Sequence, residues 1–311
     1  MKIAYLYLVH RNPGMMKRVI ERLSCDQCVF FIHVDAKSNL EEFASLRGKN
    51  VRLLENRTAV YWGEFSGVEA TLSLIRQALT TPEDYGYFAL ISGSDYPLRG
   101  REYIHQFLEV HRGTEFINVV KMPSAEAGKP ISRIDTVRIQ STRPVARLIS
   151  KAAARMGLGR RDHGKYLGQL EPYAGHTWWT LTREACRHIS DFDRQNPQVA
   201  QFFKDTFAPD EMFFQTILGN SPFRSRIRRN LCFEDWSAAG SHPADIDERH
   251  LARFEACDAV SMEDVYGRGE VLFARKFKDG TPDLLEKLDD LIAQKDRRWA
   301  LARPAIEAAQ A

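Results

Sequence analysis

Three short stretches carry side chains that could do chemistry together. In "ISGSDYP" (residues 91–97) one carboxylate, Asp95, follows an apolar strand-like run and sits among small residues. Ligands of open α/β sheets collect at the carboxyl ends of the strands, and an Asp-x-Asp pair at such a place can hold a divalent metal. Gly93 stands where the first aspartate would be. The loop is therefore a reduced metal site, a site that uses no metal, or a turn. In "PDE" (residues 209–211) Asp210 and Glu211 follow a proline that suits a helix start, where a carboxylate is held with its reach set by the first turn. In "LFARKF" (residues 272–277) Arg275 and Lys276 stand side by side between apolar residues, an unusual setting for two cations. The further Asp-x-Asp spacings, "DFD" at 191–193 and "DID" at 245–247, read as a solvated helix end and a polar loop.

The elements that must position these groups are visible as alternating apolar patterns. "IAYLYLVH", "VFFIHVD", "VRLLEN" and "YFALIS" are strand-like runs. "PGMMKRVIERL", with Met16, Val19, Ile20 and Leu23 at helical spacing, and "SGVEATLSLIRQAL" lie between them. Strand and helix alternate through the first hundred residues, which predicts a parallel sheet with crossover helices. No GxGxxG is present, so a phosphate would be held by something other than a glycine-rich loop. Further on, "YIHQFLEVH" reads as a helix and "TEFINVV" as a strand. "GHTWWTLTREACRHI" reads as a strand then a helix, with Trp178 and Trp179 pointing to opposite faces, and a helix is expected to begin at "PDE". "DLLEKLDDLIAQ" gives a last helix, followed by a loose tail at 301–311. The stretch 144–161 carries Val145, Leu148, Ile149, Ala152 and Met156 on one helical face and Arg147, Lys151 and Arg155 on another. It suits either an interfacial helix at anionic lipid or an ordinary amphipathic helix packed on the domain.

Composition bounds the function classes. The 311 residues are 44% hydrophobic and carry 44 basic against 41 acidic residues, which gives no support for a nucleic-acid-binding polyelectrolyte. No stretch approaches the roughly 18 uninterrupted apolar residues of a membrane span. The opening run "KIAYLYLVH" reads as a first strand and not as a signal peptide. Five scattered cysteines imply no disulfide framework. The "CDQC" pair, Cys25 and Cys28, has no further clustered ligand nearby in sequence and reads as structural.

Seven stretches in this order, "LVHRNPGMMKRVIERL", "FFIHVDAKS", "AVYWGEFSGVEATLSLI", "LISGSDYPLR", "WWTLTREACRHI", "PDEMFFQTILGNSPF" and "VLFARKF", resemble the core-2/I-branching β-1,6-N-acetylglucosaminyltransferase and peptide O-xylosyltransferase family, glycosyltransferase family 14. The resemblance runs from about residue 3 to 290. "SGSDYPLR", "NSP" and "FARKF" lean toward the xylosyltransferase branch, and "PDE" toward the N-acetylglucosaminyl branch. The stem and membrane anchor of the eukaryotic members have no counterpart, which points to a compact bacterial relative.

The resemblance implies a GT-A-like, Rossmann-type α/β domain with a mixed, mainly parallel sheet flanked by helices. One such domain is expected over 1–300, with a nucleotide-binding half (1–120) and an acceptor or catalytic half (121–300). It implies a UDP-sugar donor carrying N-acetylglucosamine or xylose, inversion at the anomeric carbon, and no obligatory metal or other cofactor. Glu211 is similar to the family's catalytic base, with Asp210 as a capping or orienting group. Arg275 and Lys276 are similar to residues that meet the diphosphate. Val9, His10 and Asp35 are expected beside the uridine, Trp62 as an apolar wall, and Asp95 at ribose or sugar hydroxyls. Trp178 and Trp179 flank the expected sugar site, and Glu234, Asp235 and Trp236 lie toward the acceptor. His33 reads as a satisfied strand histidine. The expected acceptor is a glycan or lipid-linked oligosaccharide, with peripheral membrane contact through 144–161 and a cytoplasmic location at the inner membrane face. The alternative is a non-catalytic nucleotide-sugar or glycan-binding protein, or a membrane-surface protein.

Overall fold

The computed structural model describes all residues except 139–147, 149–151, 153–158, 238–241, 279 and 311. Most of the amphipathic stretch 144–161 thus lies outside the described residues, only 148, 152 and 159–161 being described. Among those described, no helix is long and apolar enough to cross a membrane.

The strands β1 (Lys2–Val9), β2 (Cys28–Val34), β3 (Val51–Leu53) and β4 (Tyr85–Ser92) form the parallel part of a seven-stranded sheet. After the short strand β5 (Tyr96–Pro97), which belongs to another sheet, β6 (Glu115–Ile117) joins it through the strand Trp179–Thr182, which runs antiparallel to both β4 and β6. Ile227–Arg228 closes the far edge parallel to β6. The expected mixed, mainly parallel sheet is present. Its strands are apolar on both faces because both are covered. Along β1, Ile3, Tyr5, Tyr7 and Val9 enter one core layer, and Ala4 and Leu6 enter the other.

The first layer is roofed by helices α1 (Pro13–Leu23) and α3 (Arg101–Val110) and by the helix Pro282–Gln310. The second is roofed by α2 (Ser66–Leu79) and the helices Arg183–Gln195, Pro197–Lys204 and Phe213–Gly219. In α1, Asn12 caps the amino end by accepting the Met15 amide (3.3 Å) and Pro13 opens the first turn. Met15, Met16, Val19, Ile20 and Leu23 are buried, each stabilising by roughly 1.5–3 kcal/mol.

A small second sheet brings distant segments together. Cys232–Glu234 pairs in parallel with Phe273–Arg275, which pairs antiparallel with β5. Glu234 is thereby the register partner of Arg275, and Asp95 immediately precedes β5.

Two elements differ from expectation. "PDE" forms a 3₁₀ turn, Pro209–Glu211, and the helix restarts at Phe213 because Met212 (φ −137°, ψ −34°) leaves helical conformation. The final helix continues to Gln310, so the stretch expected to be a loose tail is helical to that point. Its Ala, Leu, Glu and Gln residues are good helix formers.

Candidate active site

The carboxyl ends of β1, β2 and β4 and the second sheet meet at one edge. Asp95 is 2% exposed. It accepts the Ser92 amide at Oδ2 (2.8 Å) and the Ser92 hydroxyl at Oδ1 (2.6 Å), and it faces Arg275 Nε at 3.1 Å. On the other side of the guanidinium, Arg275 Nη1 reaches Glu234 Oε1 at 3.3 Å, and the group lies over the Trp178 ring at 4.6 Å. Arg275 is thus locked between two carboxylates and an aromatic face. Lys276, its neighbour, is half-buried, and its ammonium makes no ion pair among the described residues.

Glu234 is the hub. His176 Nδ1 stands 2.5 Å from its Oε2, and the Trp236 indole N–H donates to the same oxygen at 3.3 Å. Burial alone would raise the Glu234 pKa, but His176 and then Arg275 outweigh it and hold the carboxyl down at about 2. A folded-state pKa below the usual value of 4.5 stabilises the fold above that value. This stability is lost as pH falls from about 4.5 through about 2. It amounts to ~3 kcal/mol for a shift of this size. Urea midpoints of the wild type should therefore drop more steeply between pH 5 and pH 2.5 than those of Glu234→Gln; parallel curves would contradict the assignment.

The His176 ring packs edge-on to Tyr266 at 5.1 Å and near Trp236 at 5.8 Å. Burial pushes the Tyr266 hydroxyl pKa up, followed by the charges of Glu211, Asp264 and Glu234.

That turn is braced from behind. Ala208 adopts a left-handed conformation (φ 53°), which a residue with a Cβ takes only when its surroundings enforce it. Its amide donates to Gly63 O at 3.0 Å. Gly63 itself has φ 74°, and a Cβ there would lie 3.2 Å from the Phe207 ring. Glu211 is held by Lys129 Nζ (2.6 Å) and Arg133 Nη1 (2.5 Å), both on Oε2. Burial opposes its ionisation, but Lys129 and Arg133 prevail, and its pKa lies below the usual carboxylate value. Asp210 takes the opposite shift. Burial, and next the charge of Glu211, push its pKa up to about 6, while Thr177 donates a hydroxyl hydrogen bond to its Oδ2 at 2.9 Å. Its Oδ1 is buried without a partner. The two adjacent carboxyls are therefore driven apart, and Glu211 keeps the negative charge.

The other expected residues fall at varied distances from this cluster. The Asp35 carboxylate, at the end of β2, accepts the Lys37 amide (2.8 Å) and ammonium (2.7 Å). Val9 is core: its Cγ1 would lie 3.2 Å from a Cβ on Gly93, so its side chain underlies the "GSD" loop. His10 is exposed, and its carbonyl accepts the Ser38 hydroxyl (2.7 Å). Trp62, 63% exposed, stands edge-on to Phe207 (5.5 Å) and His242 (5.9 Å). Trp179 is buried against Phe214, so only Trp178 of the pair faces Arg275. Asp235 meets His250 Nε2 at 3.0 Å and accepts the Ser237 amide at 2.8 Å, turned toward the helix Glu248–Glu255. Trp236 is half-exposed at the rim. His33 Nε2 accepts the Thr58 amide at 2.8 Å, while its buried Nδ1 has no partner among the described residues, so the histidine is satisfied on one side only.

Lys129, Arg133, His176 and Tyr266 were not anticipated. Lys129 and Arg133 come from the charge-rich region after 121, where no periodicity marked them. His176 precedes the tryptophan pair by only two residues and was the more legible omission.

Rat (Rattus norvegicus) xylosyltransferase 2 is 29% identical over 312 residues, covering 93% of this chain and 33% of that protein. Mouse (Mus musculus) xylosyltransferase 2 is 30% identical over 314 residues, covering 93% and 33%. Human (Homo sapiens) xylosyltransferase 1 is 24% identical over 330 residues, covering 95% and 33%. The chain thus spans about a third of the length of these relatives. Residues 3–259 match the Core-2/I-Branching enzyme family, and on that match over most of its length the chain belongs to this family of glycosyltransferases.

Proposed function

We propose that the protein transfers a sugar from a UDP-sugar to a hydroxyl of a glycan or related acceptor, with inversion and without an obligatory metal. The observation that carries this reading is the pairing of a half-buried, locked Arg275 with a Lys276 that makes no ion pair among the described residues, at the strand-end edge where a nucleotide diphosphate would lie. A departing UDP gathers about two negative charges on its phosphates, and preorganised charge is often the largest catalytic contribution. Lys276 supplies a second positive charge, a compact ammonium. Arg275, fixed by Asp95 and Glu234, supplies an oriented guanidinium.

Asp95 is committed to Ser92 and Arg275 through both oxygens, and the place of a second carboxylate is taken by Gly93, packed against Val9. This loop is therefore better suited to orienting a cation than to chelating a metal. Glu211 acts as the base that takes the acceptor proton. It is ionised at neutral pH and partly exposed, and Lys129 and Arg133 fix its position. Trp178 and Trp236 offer aromatic faces to the C–H side of a pyranose.

UDP-xylose is the preferred donor, with UDP-N-acetylglucosamine the second candidate; the xylosyltransferase names of the relatives support this order. UDP release measured across a donor panel tests it. Turnover of UDP-xylose above the others is expected, and no turnover of any UDP-sugar together with no UDP binding would overturn it.

A further inference from the structure

At the opposite edge of the sheet, the amino ends of the strands gather a second cluster that the transfer reaction does not use. Cys25 lies in the turn after α1, Cys28 opens β2, and His105 projects from α3. The two sulfurs are 3.0 Å apart, and His105 Nε2 is 3.1 Å from Cys28 Sγ and 3.6 Å from Cys25 Sγ. All three ligand atoms lie within 4.8 Å of one another. The sequence offered only the Cys-x-x-Cys pair, and the fold supplies the third ligand from 77 residues further on.

The frame that holds them is rigid. The Cys28 amide donates to Cys25 O at 3.1 Å, closing the turn, and the Asn50 side-chain amide donates to the same carbonyl at 2.9 Å. Arg101 Nη1, from the start of α3, donates to Ser24 O at 2.7 Å. The Ile3 amide donates to Gln27 O at 2.8 Å and ties the turn to β1. Cys28 is fully buried, whereas Cys25 and His105 are half-buried, leaving one side of the cluster open to water.

We propose that Cys25, Cys28 and His105 bind one zinc ion, with water as the fourth ligand, and that the ion clamps the α1–β2 turn to α3. Two thiolates and an imidazole are ligands that zinc favours, and a Cys-x-x-Cys turn plus a histidine from elsewhere is a common zinc donor set. Zn–S bonds of about 2.3 Å and Zn–N bonds of about 2.0–2.1 Å in tetrahedral geometry set ligand atoms about 3.5–3.8 Å apart. The sulfurs reach this by spreading less than an ångström, on the order of a small rotation of the half-buried Cys25. Binding releases the two thiol protons to solvent, and the two thiolates neutralise the ion's charge. The clamp stands at the sheet edge opposite Glu211 and Lys276, so its role is structural.

The test uses the full chain, purified in a thiol reductant without chelator from zinc-supplemented cells. About one equivalent of zinc by elemental analysis is expected, together with a thiolate-to-metal charge-transfer band when cobalt replaces it. Cys25→Ser and His105→Ala should each weaken zinc by more than about 100-fold. Removing the ion should lower the thermal midpoint of the wild type but not of these variants, and all should retain wild-type transfer rates below that midpoint. Cys28→Ser sits in the core, so its failure to fold would leave the other two variants to decide. A Cys25–Cys28 disulfide in place of metal, zinc-free protein with both thiols freely titratable under added zinc, or equal zinc binding in both variants would overturn the proposal.

Discussion

Glu211→Gln should abolish transfer while leaving the fold and UDP binding intact. The substitution keeps the size of the side chain and one acceptor oxygen for Lys129 and Arg133, so their positions change little, but it removes the only group on the Pro209–Glu211 turn that stays fully ionised across neutral pH. General-base assistance is worth roughly 10²–10⁴ in rate. The predicted loss falls in kcat, with the UDP dissociation constant within a few fold of wild type. Asp210→Asn provides the contrast. Its partly protonated carboxyl is aimed at Thr177, and its loss should reduce turnover by less than about tenfold. Single-turnover measurements of both variants decide the assignment. Wild-type turnover in Glu211→Gln, or the larger loss in Asp210→Asn, would transfer the role to Asp210.

Lys276→Ala should raise the donor KM and lower kcat together. Beside an Arg275 paired with Asp95 and Glu234, its ammonium makes no ion pair among the described residues, so a diphosphate would meet its charge. Removing one charge-stabilising donor from a reacting site typically costs about 10²–10³ in turnover. Lys276→Arg should recover part of it, since charge is kept but its position changes. Added salt should weaken donor binding in the wild type more than in Lys276→Ala. Steady-state kinetics at two ionic strengths check this, and unchanged, salt-insensitive kinetics in the alanine variant would remove Lys276 from the donor site.

Much of the scaffold was legible because its strands are fully buried. "IAYLYLVH", "VFFIHVD" and "YFALIS" are continuous apolar runs bounded by polar turns, and they became β1, β2 and β4 with α1 and α2 where helical spacing placed them. The "PDE" helix start failed because the turn is set by Ala208, whose left-handed conformation comes from contact with the Gly63 loop far away in sequence. No local propensity announces that.

The candidate site was legible at the level of residue types and not of partners. Arg275 and Lys276 look alike in "LFARKF". Only the small second sheet, with Glu234 in register beside Arg275 and Asp95 ahead of β5, locks one and leaves the other without an ion pair among the described residues. Lys129 and Arg133 reach Glu211 across about 80 residues of chain, and His105 reaches the Cys25–Cys28 turn across a similar interval. Such contacts are tertiary and carry no periodic signature.

The central claim is that fixed side-chain cations do the work of a metal at the diphosphate. UDP release from UDP-xylose, measured with excess chelator at a temperature below the chelated protein's thermal midpoint, tests it most directly. The account predicts unchanged turnover in chelator and loss in both Glu211→Gln and Lys276→Ala. Turnover that vanishes in chelator and returns with magnesium or manganese, but not with zinc, would contradict it.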